Sequence, residues 1–286
     1  MKTKLLSTVL GTAALSALVF AAPVLADEEA ELIVNGELEI VTKTAAPAHL
    51  SDSLDEILSG WRFRSDGTQT MQMDDFDNPG MLGAEVGLDQ FETSMGSEGK
   101  ACADCHNGPE SLSSVRATYP KWNEGAGEVR TIQMQINDCL TTQMGAEPEK
   151  YDSAAMLNFE AMLAVAARGT PINVAIDGPA QSTWEQGKEM YYTRFGQLEL
   201  SCANCHEDNY GNMIRADHLS QGQINGFPTY RLKNTKLNGS HSRFKGCIRD
   251  TRAETFNPGS PEFVALELYV ASRGNGLSVE GPSVRN

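Results

Sequence analysis

Positive charge is scarce in this chain: 23 Lys and Arg stand against 38 Asp and Glu in 286 residues, a net charge of −15. Such an imbalance repels nucleic acid and anionic membrane surfaces, so neither is expected as a partner. Long apolar runs are equally scarce. One lies at the N-terminus, and after residue 26 none approaches the ~20 residues of a membrane span. Histidine numbers only five and cysteine six.

The N-terminal run belongs to MKTKLLSTVLGTAALSALVFAAPVLA, in which Lys2 and Lys4 precede the apolar stretch and Val24-Leu25-Ala26 forms a small-residue cleavage pattern. A signal peptide cleaved after Ala26 is expected, with the mature chain starting at Asp27 in the periplasm. The run is too short for the alternative, an uncleaved anchor. Without the two lysines, 21 basic residues face 38 acidic ones, a net charge of −17. What remains is long enough for two small domains with cores of their own.

Export allows disulfides, yet four cysteines read otherwise. They lie in Cys102-Ala-Asp-Cys105-His106 and Cys202-Ala-Asn-Cys205-His206. In this pattern the two thiols bond to haem vinyl groups and the adjacent histidine binds the iron. A four-cysteine zinc site needs its pairs closer in sequence than the hundred residues found here. Two covalently bound c haems are therefore expected.

The flanks repeat with the motifs. Gly87, Leu88 and Phe91 precede the first, and Gly187, Met190 and Tyr191 the second, both at helical spacing. Downstream, Phe159 to Gly169 answers Phe263 to Gly274, and the latter has Ser260 as N-cap, Pro261 in the first turn and Gly274 as its stop. The fold class expected is mainly α: two cytochrome c-like haem domains related by internal duplication, residues 84–170 and 171–286, behind an N-terminal extension, 27–83. Pro171, Gly178 and Pro179 suit a linker between the domains. Within the extension, Leu54, Ile57, Leu58 and Trp61 predict one amphipathic helix, and DDFDNPG a turn.

Each iron needs a second axial ligand. Met134, Met144 and Cys139 are available in the first copy, and Met213, His218, His241 and Cys247 in the second. A Cys139 to Cys247 disulfide is a further option. Two observations favour cysteine ligation. The lone cysteines fall at matching places, 33 residues after His106 and 41 after His206. A disulfide between them would have to join equivalent positions of two domains. A thiolate ligand stabilises oxidised iron, which suits a site for sulfur chemistry better than a general electron carrier.

The copies differ in charge. From Tyr230 to Arg252 seven basic residues face Asp250 alone, +6, whereas Trp122 to Met144 carries Arg130 against three carboxylates, −2. A basic run by itself is usually a solvated face or a docking patch. Around Cys247 it also favours thiolate and attracts a small anion against the field of the whole protein. Arg243, four residues before Cys247, can hold an oxyanion through two parallel hydrogen bonds, although Gly246 weakens a helix there. A sulfur oxyanion such as thiosulfate is the economical substrate.

The segments DDFDNPGM, CADCH, INDC, CANCH, RFKGC and EFVALELYVASRGNGL together resemble SoxA, the larger cytochrome subunit of the SoxAX complex of bacterial thiosulfate oxidation, over nearly the whole mature chain. The resemblance implies His106 and Cys139 as ligands of the first haem iron, His206 and Cys247 as ligands of the second, a Cys247 able to carry an extra sulfur as a persulfide, and Arg243 as a catalytic residue. It further implies L-cysteine S-thiosulfotransferase activity: thiosulfate joined to a cysteine of the carrier SoxYZ, with two electrons leaving through the monohaem partner SoxX to an external cytochrome c. The alternatives are a thiosulfate dehydrogenase forming tetrathionate and a non-catalytic dihaem carrier that docks an acidic partner. A peroxidase fits less well, because thiolate on both irons leaves neither open. His49, His218 and His241 read as ordinary core or surface residues.

Overall fold

The computed structural model describes residues 30–286, so the expected signal peptide lies outside the described residues. The N-terminal region opens with the antiparallel pair β1 (Leu32–Val34) and β2 (Leu38–Ile40). A second pair, β3 (Lys43–Ala45) and β4 (Glu56–Leu58), follows, then a 3₁₀ turn at Gly60–Phe63 and helix α1 (Asp66–Met73). The helix expected across Leu54 to Trp61 is therefore replaced by a strand and a turn. Leu54, Ile57 and Trp61 are buried as the pattern demanded. The partner strand β3 offers the backbone groups of 56–58 a ladder, and the Ser59 hydroxyl accepts from Trp61 N–H to start the turn. Apolar spacing fixed what is buried, and a distant partner decided the backbone.

The rest is built on two helix crossings. Helix α2 (Met81–Glu92) crosses α5 (Ala154–Ala166), and α6 (Gln181–Tyr192) crosses α9 (Pro261–Arg273). Ser153 and Ser260 cap α5 and α9 by accepting from Met156 and Phe263 N–H. Each crossing is closed by a glycine. A Cβ on Gly87 would overlap the Asn158 carbonyl, and one on Gly187 the Ala265 carbonyl, with the side chains of Met162 and Tyr269 just beyond. Gly187→Ala is expected to lower stability by about 3 kcal/mol, the upper end for overpacking; a urea midpoint equal to wild type would mean that the helices do not meet at this residue.

Between the first pair of helices lie a 3₁₀ turn at Cys102–Asp104, the short α3 (Val115–Thr118), the hairpin β5 (Lys121–Asn123) and β6 (Glu128–Arg130), and α4 (Ile132–Gln143). Between the second pair lie α7 (Cys202–His206), the hairpins β7 (Met213–Ile214) with β8 (Asp217–His218) and β9 (Thr229–Arg231) with β10 (Lys236–Asn238), and α8 (Ser240–Asp250). The final strand β11 (Ser283–Arg285) runs parallel to β9.

One apolar core joins both halves, with Val129 and Ala164 packed among Phe263, Leu266 and Tyr269. Polar groups are buried in the same seam. Arg116 donates to the carbonyls of Ile224 and Phe227. Burial first, and then the nearby Glu267, raise the Glu160 carboxyl to about 8, against the opposing pull of Arg116. The segment 169–179 is not a free tether, because Gly169 and Ile172 donate to the carbonyls of Val279 and Leu277.

Candidate haem and sulfur site

Cys202 opens a helical turn because Ser201 and Asn204 cap each other: Ser201 Oγ accepts from Asn204 N–H and Asn204 Oδ1 from Ser201 N–H. At Cys102 the preceding residue, Ala101, has no acceptor, so only the return bond to Asp104 forms, and the chain makes a 3₁₀ turn instead. His206 is held on two sides. Its Nδ1 lies 2.7 Å from the Ser220 carbonyl. A carbonyl only accepts, so Nδ1 carries the proton and the Nε2 lone pair is left for a metal. Gly222, at φ +76°, backs the ring so closely that a Cβ would sit 2.8 Å from Cγ. Burial, outweighing the bond to Ser220 and aided by Arg243 and Arg273, lowers the ring to about 4 and keeps it neutral, as a ligand must be.

Each lone cysteine lies near enough to its own motif to act on a thiol there. Burial and then the charge of Cys247 push the Cys202 thiol up to about 12, and the same two causes raise Cys205. In the first half, burial and then Cys139 raise Cys102. No two of the six cysteines are joined by a disulfide, so the Cys139 to Cys247 bridge is not formed. Cys102, Cys202 and Cys205 are half-buried and Cys105 is exposed, with Cys102 and Cys202 packed against the apolar clusters. Two thiols, a neutral imidazole and a nearby third sulfur form a donor set that fits a c-type haem. Among the described residues no group of three or more His, Cys, Asp or Glu is arranged for a bare metal ion.

Helix α8 runs through Gly246 unbroken, so Arg243 and Cys247 share one face, with Arg243 exposed and Cys247 half-buried. The matching pair on α4 is Gln135 and Cys139, where Gln135 Nε2 donates to Cys139 Sγ at 3.8 Å and Asn123 Nδ2 donates to Gln135 Oε1 at 3.2 Å. Burial and then Arg243 lower Arg231, while Asp217, Cys247 and Asp250 oppose. Burial, Arg285 and also Arg243 act on Arg64, lowered to about 10 against the pull of Asp217. Arg243, on the same helix, and Arg231 thus lie near this sulfur, and Arg64 lies near Arg243. Arg64 comes from the N-terminal region, for which the sequence suggested no role. It pairs with Asp217 and donates to the His218 carbonyl, and Gln221 exchanges hydrogen bonds with Leu58 and Glu56, which fixes the loop carrying Ser220 and Gly222. No local pattern marks Arg64 or the Gln221 anchor of the Ser220 and Gly222 loop, since their contacts span more than 150 residues.

The other ligand candidates lie elsewhere. His241 is fully buried, with Nδ1 accepting from Gly259 N–H and Nε2 2.8 Å from Glu267 Oε2. Met144 is buried, Met134 packs on the core and Met213 is more than half exposed. His218 lies in β8, two residues before Ser220, and its Nε2 is buried without a hydrogen-bond partner among the described residues. No helix among the described residues is long and apolar enough to cross a membrane.

Residues 86–172 match the family described as SoxA/TsdA, cytochrome c domain. The fold and the first motif are therefore those of a cytochrome c, in which haem is covalently bound. The chain is 60% identical over 266 residues to the L-cysteine S-thiosulfotransferase subunit SoxA of Rhodovulum sulfidophilum, covering 93% of each. It is 55% identical to that of Paracoccus pantotrophus, across 100% of this chain and 98% of the other. A chain of the crystal structure of SoxXA from P. pantotrophus superposes with a TM-score of 0.88 at 56% identity, covering 90% of this chain and 99% of that one. The protein belongs to the SoxA family of L-cysteine S-thiosulfotransferase subunits.

Proposed function

We propose that this protein is the catalytic, dihaem subunit of a periplasmic L-cysteine S-thiosulfotransferase, built from two duplicated cytochrome c domains, 84–170 and 171–286, behind the 27–83 extension. What supports the reading is that Cys247 lies near enough to Cys202 and Cys205 to act on both thiols, with Arg243 one helical turn away and Arg231 close by. Cys102 and Cys105, and Cys202 and Cys205, hold the two haems covalently. His106 with Cys139, and His206 with Cys247, are the iron ligands. Bound haem supplies the one-electron acceptors that the reaction needs.

The net conversion joins thiosulfate to a carrier thiol: R–SH and S₂O₃²⁻ give R–S–S–SO₃⁻, one proton and two electrons. Arg243 holds the sulfonate end by charge-assisted hydrogen bonds and leaves the outer sulfur toward Cys247. A sulfur–sulfur bond forms between Cys247 and that outer sulfur as two electrons leave. The carrier thiolate then attacks the same outer sulfur and displaces Cys247 as thiolate, so the second step is an exchange with no net oxidation. Arg243 and Arg231 stabilise the departing thiolate. A monohaem SoxX partner takes the electrons onward to an external cytochrome c, and SoxYZ is the carrier.

The site of the first haem has a different character. It has Gln135 where Arg243 stands in the second, and a local charge of −2. It therefore serves electron transfer or structure rather than anion binding.

The test is product analysis of the purified complex with thiosulfate and an oxidant. A carrier protein gaining the mass of one thiosulfate group at its cysteine, and little tetrathionate when the carrier is omitted, is the expected result. Tetrathionate formed at an undiminished rate without any carrier would replace this reading by thiosulfate dehydrogenation.

A further inference from the structure

The two cysteine-bearing helices begin differently. Helix α4 is capped from within its own chain segment: Thr131 precedes it, and its Oγ1 accepts from Met134 N–H, the third residue of the helix, at 3.3 Å. The place before α8 is Gly239, which has no side chain to offer. Counting back from Cys139 and Cys247, Thr131 and Gly239 occupy the same position, eight residues earlier. A helix start without an acceptor leaves N–H groups unpaired, and here the helix carries both Arg243 and Cys247.

The missing acceptor comes from the other half of the molecule. Asp152, in the loop before α5, places Oδ2 2.8 Å from Ser242 N, the third residue of α8, and the same oxygen accepts from the Ser242 hydroxyl at 2.5 Å. That is the bond Thr131 makes in α4. Asp152 is itself set by Gln133, whose Nε2 donates to Oδ1 at 2.9 Å and whose Oε1 accepts from Asp152 N–H at 2.8 Å. Its φ of +58° is uncommon for a residue with a side chain. Next to it, Tyr151 stacks on His241 of α8, ring centroids 4.5 Å apart and 13° from parallel. The space is shared tightly: a Cβ at Gly239 would overlap the Asp152 carboxylate. Glycine is required at 239 for that reason and not for its dihedrals, since φ −86° and ψ 168° suit any residue.

We infer that Asp152 is a positioning residue: a cap supplied across the seam by the first half, which sets the start of α8 and thereby the placing of Arg243 and Cys247. Gln133 is part of α4, so one carboxylate ties the starts of both cysteine-bearing helices together. This inference rests on the reading that Arg243 and Cys247 form the reacting site.

The test uses the haem-loaded protein and three variants: Asp152→Ala, Gly239→Ser and the two combined. In Asp152→Ala, hydrogen exchange across the first turn of α8 is expected to rise about tenfold, the loss of a typical cap at ~1.4 kcal/mol. The low-spin resonance of the second haem should broaden and KM for thiosulfate rise, with the resonance of the first haem little changed. Gly239→Ser alone crowds Asp152 and is expected to disturb the same signals. In the combined variant the serine hydroxyl takes over as a local cap, and exchange, resonance and KM return toward wild type. Unchanged exchange in Asp152→Ala overturns the inference, as does a combined variant no better than the single one. Faster exchange with an unmoved resonance and KM overturns the positioning role. A failure of the Cys247 reading itself shows separately, as a Cys247→Ala protein whose second haem resonance is that of wild type.

Discussion

Cys247→Ala is expected to abolish thiosulfate conjugation, a loss of about 10⁴-fold or more, while both haems remain attached. Attachment depends on the two motifs, and α8 keeps its cap and its buried Ile248 and His241 in the variant. Low-temperature electron paramagnetic resonance should lose one low-spin histidine–thiolate signal and keep the other, and Cys139→Ala should do the reverse. Arg243→Gln gives α8 the residue that α4 has at the same place, and separates anion binding from ligation. Removing one charge-assisted contact to an anion costs about 1.5–3 kcal/mol, or roughly 10- to 150-fold in kcat/KM. Both resonances should survive it. Arg243→Gln with full activity would return the basic patch to a docking role, and unchanged spectra in both cysteine variants would overturn the ligand assignment.

Arg273→Met is expected to have the largest effect on stability. Its guanidinium is wholly buried and pairs with Glu207, the residue after His206, whose side chain is only 7% exposed. The guanidinium lies 4.4 Å from the ring centre of Tyr191 and 5.9 Å from that of Tyr269. Burial alone would lower its pKa; Tyr191, Glu207 and Tyr269 more than offset that and raise it. Removing the cation leaves Glu207 as an uncompensated buried charge. Breaking such a pair destabilises by about 3–5 kcal/mol, near 10 °C in Tm for a chain of this size. The paired change Arg273→Met with Glu207→Gln should recover most of the loss, because neither group is then charged. Equal losses in the single and paired variants would mean that packing on the tyrosines, and not the ion pair, holds Arg273 there.

Much of this was legible locally. The caps at Ser153 and Ser260, the glycine-closed crossings and the motif turns follow from short-range chemistry, and the four helices that flank the motifs stand where the periodicity put them. Arg243 and Cys247 on one helical face needed only their spacing of four, and Gly246 proved too weak a breaker to interrupt a helix packed along its length. The failure over Leu54 to Trp61 is of another kind. Spacings of three and four are met by a strand followed by a turn as well as by a helix, and the choice fell to β3.

The sequence by itself determined the covalent haem motifs, the helices that frame them and the excess of basic residues near one of two lone cysteines, because each depends on neighbours within a few turns of chain. Tertiary structure alone decided that Cys139 and Cys247 are not bridged to each other, that Arg64 pairs with Asp217 and that Asp152 caps α8. Those outcomes depend on which groups, some 90 to more than 150 residues apart, are brought within hydrogen-bonding reach, and no residue carries a local mark of a partner that only folding brings near.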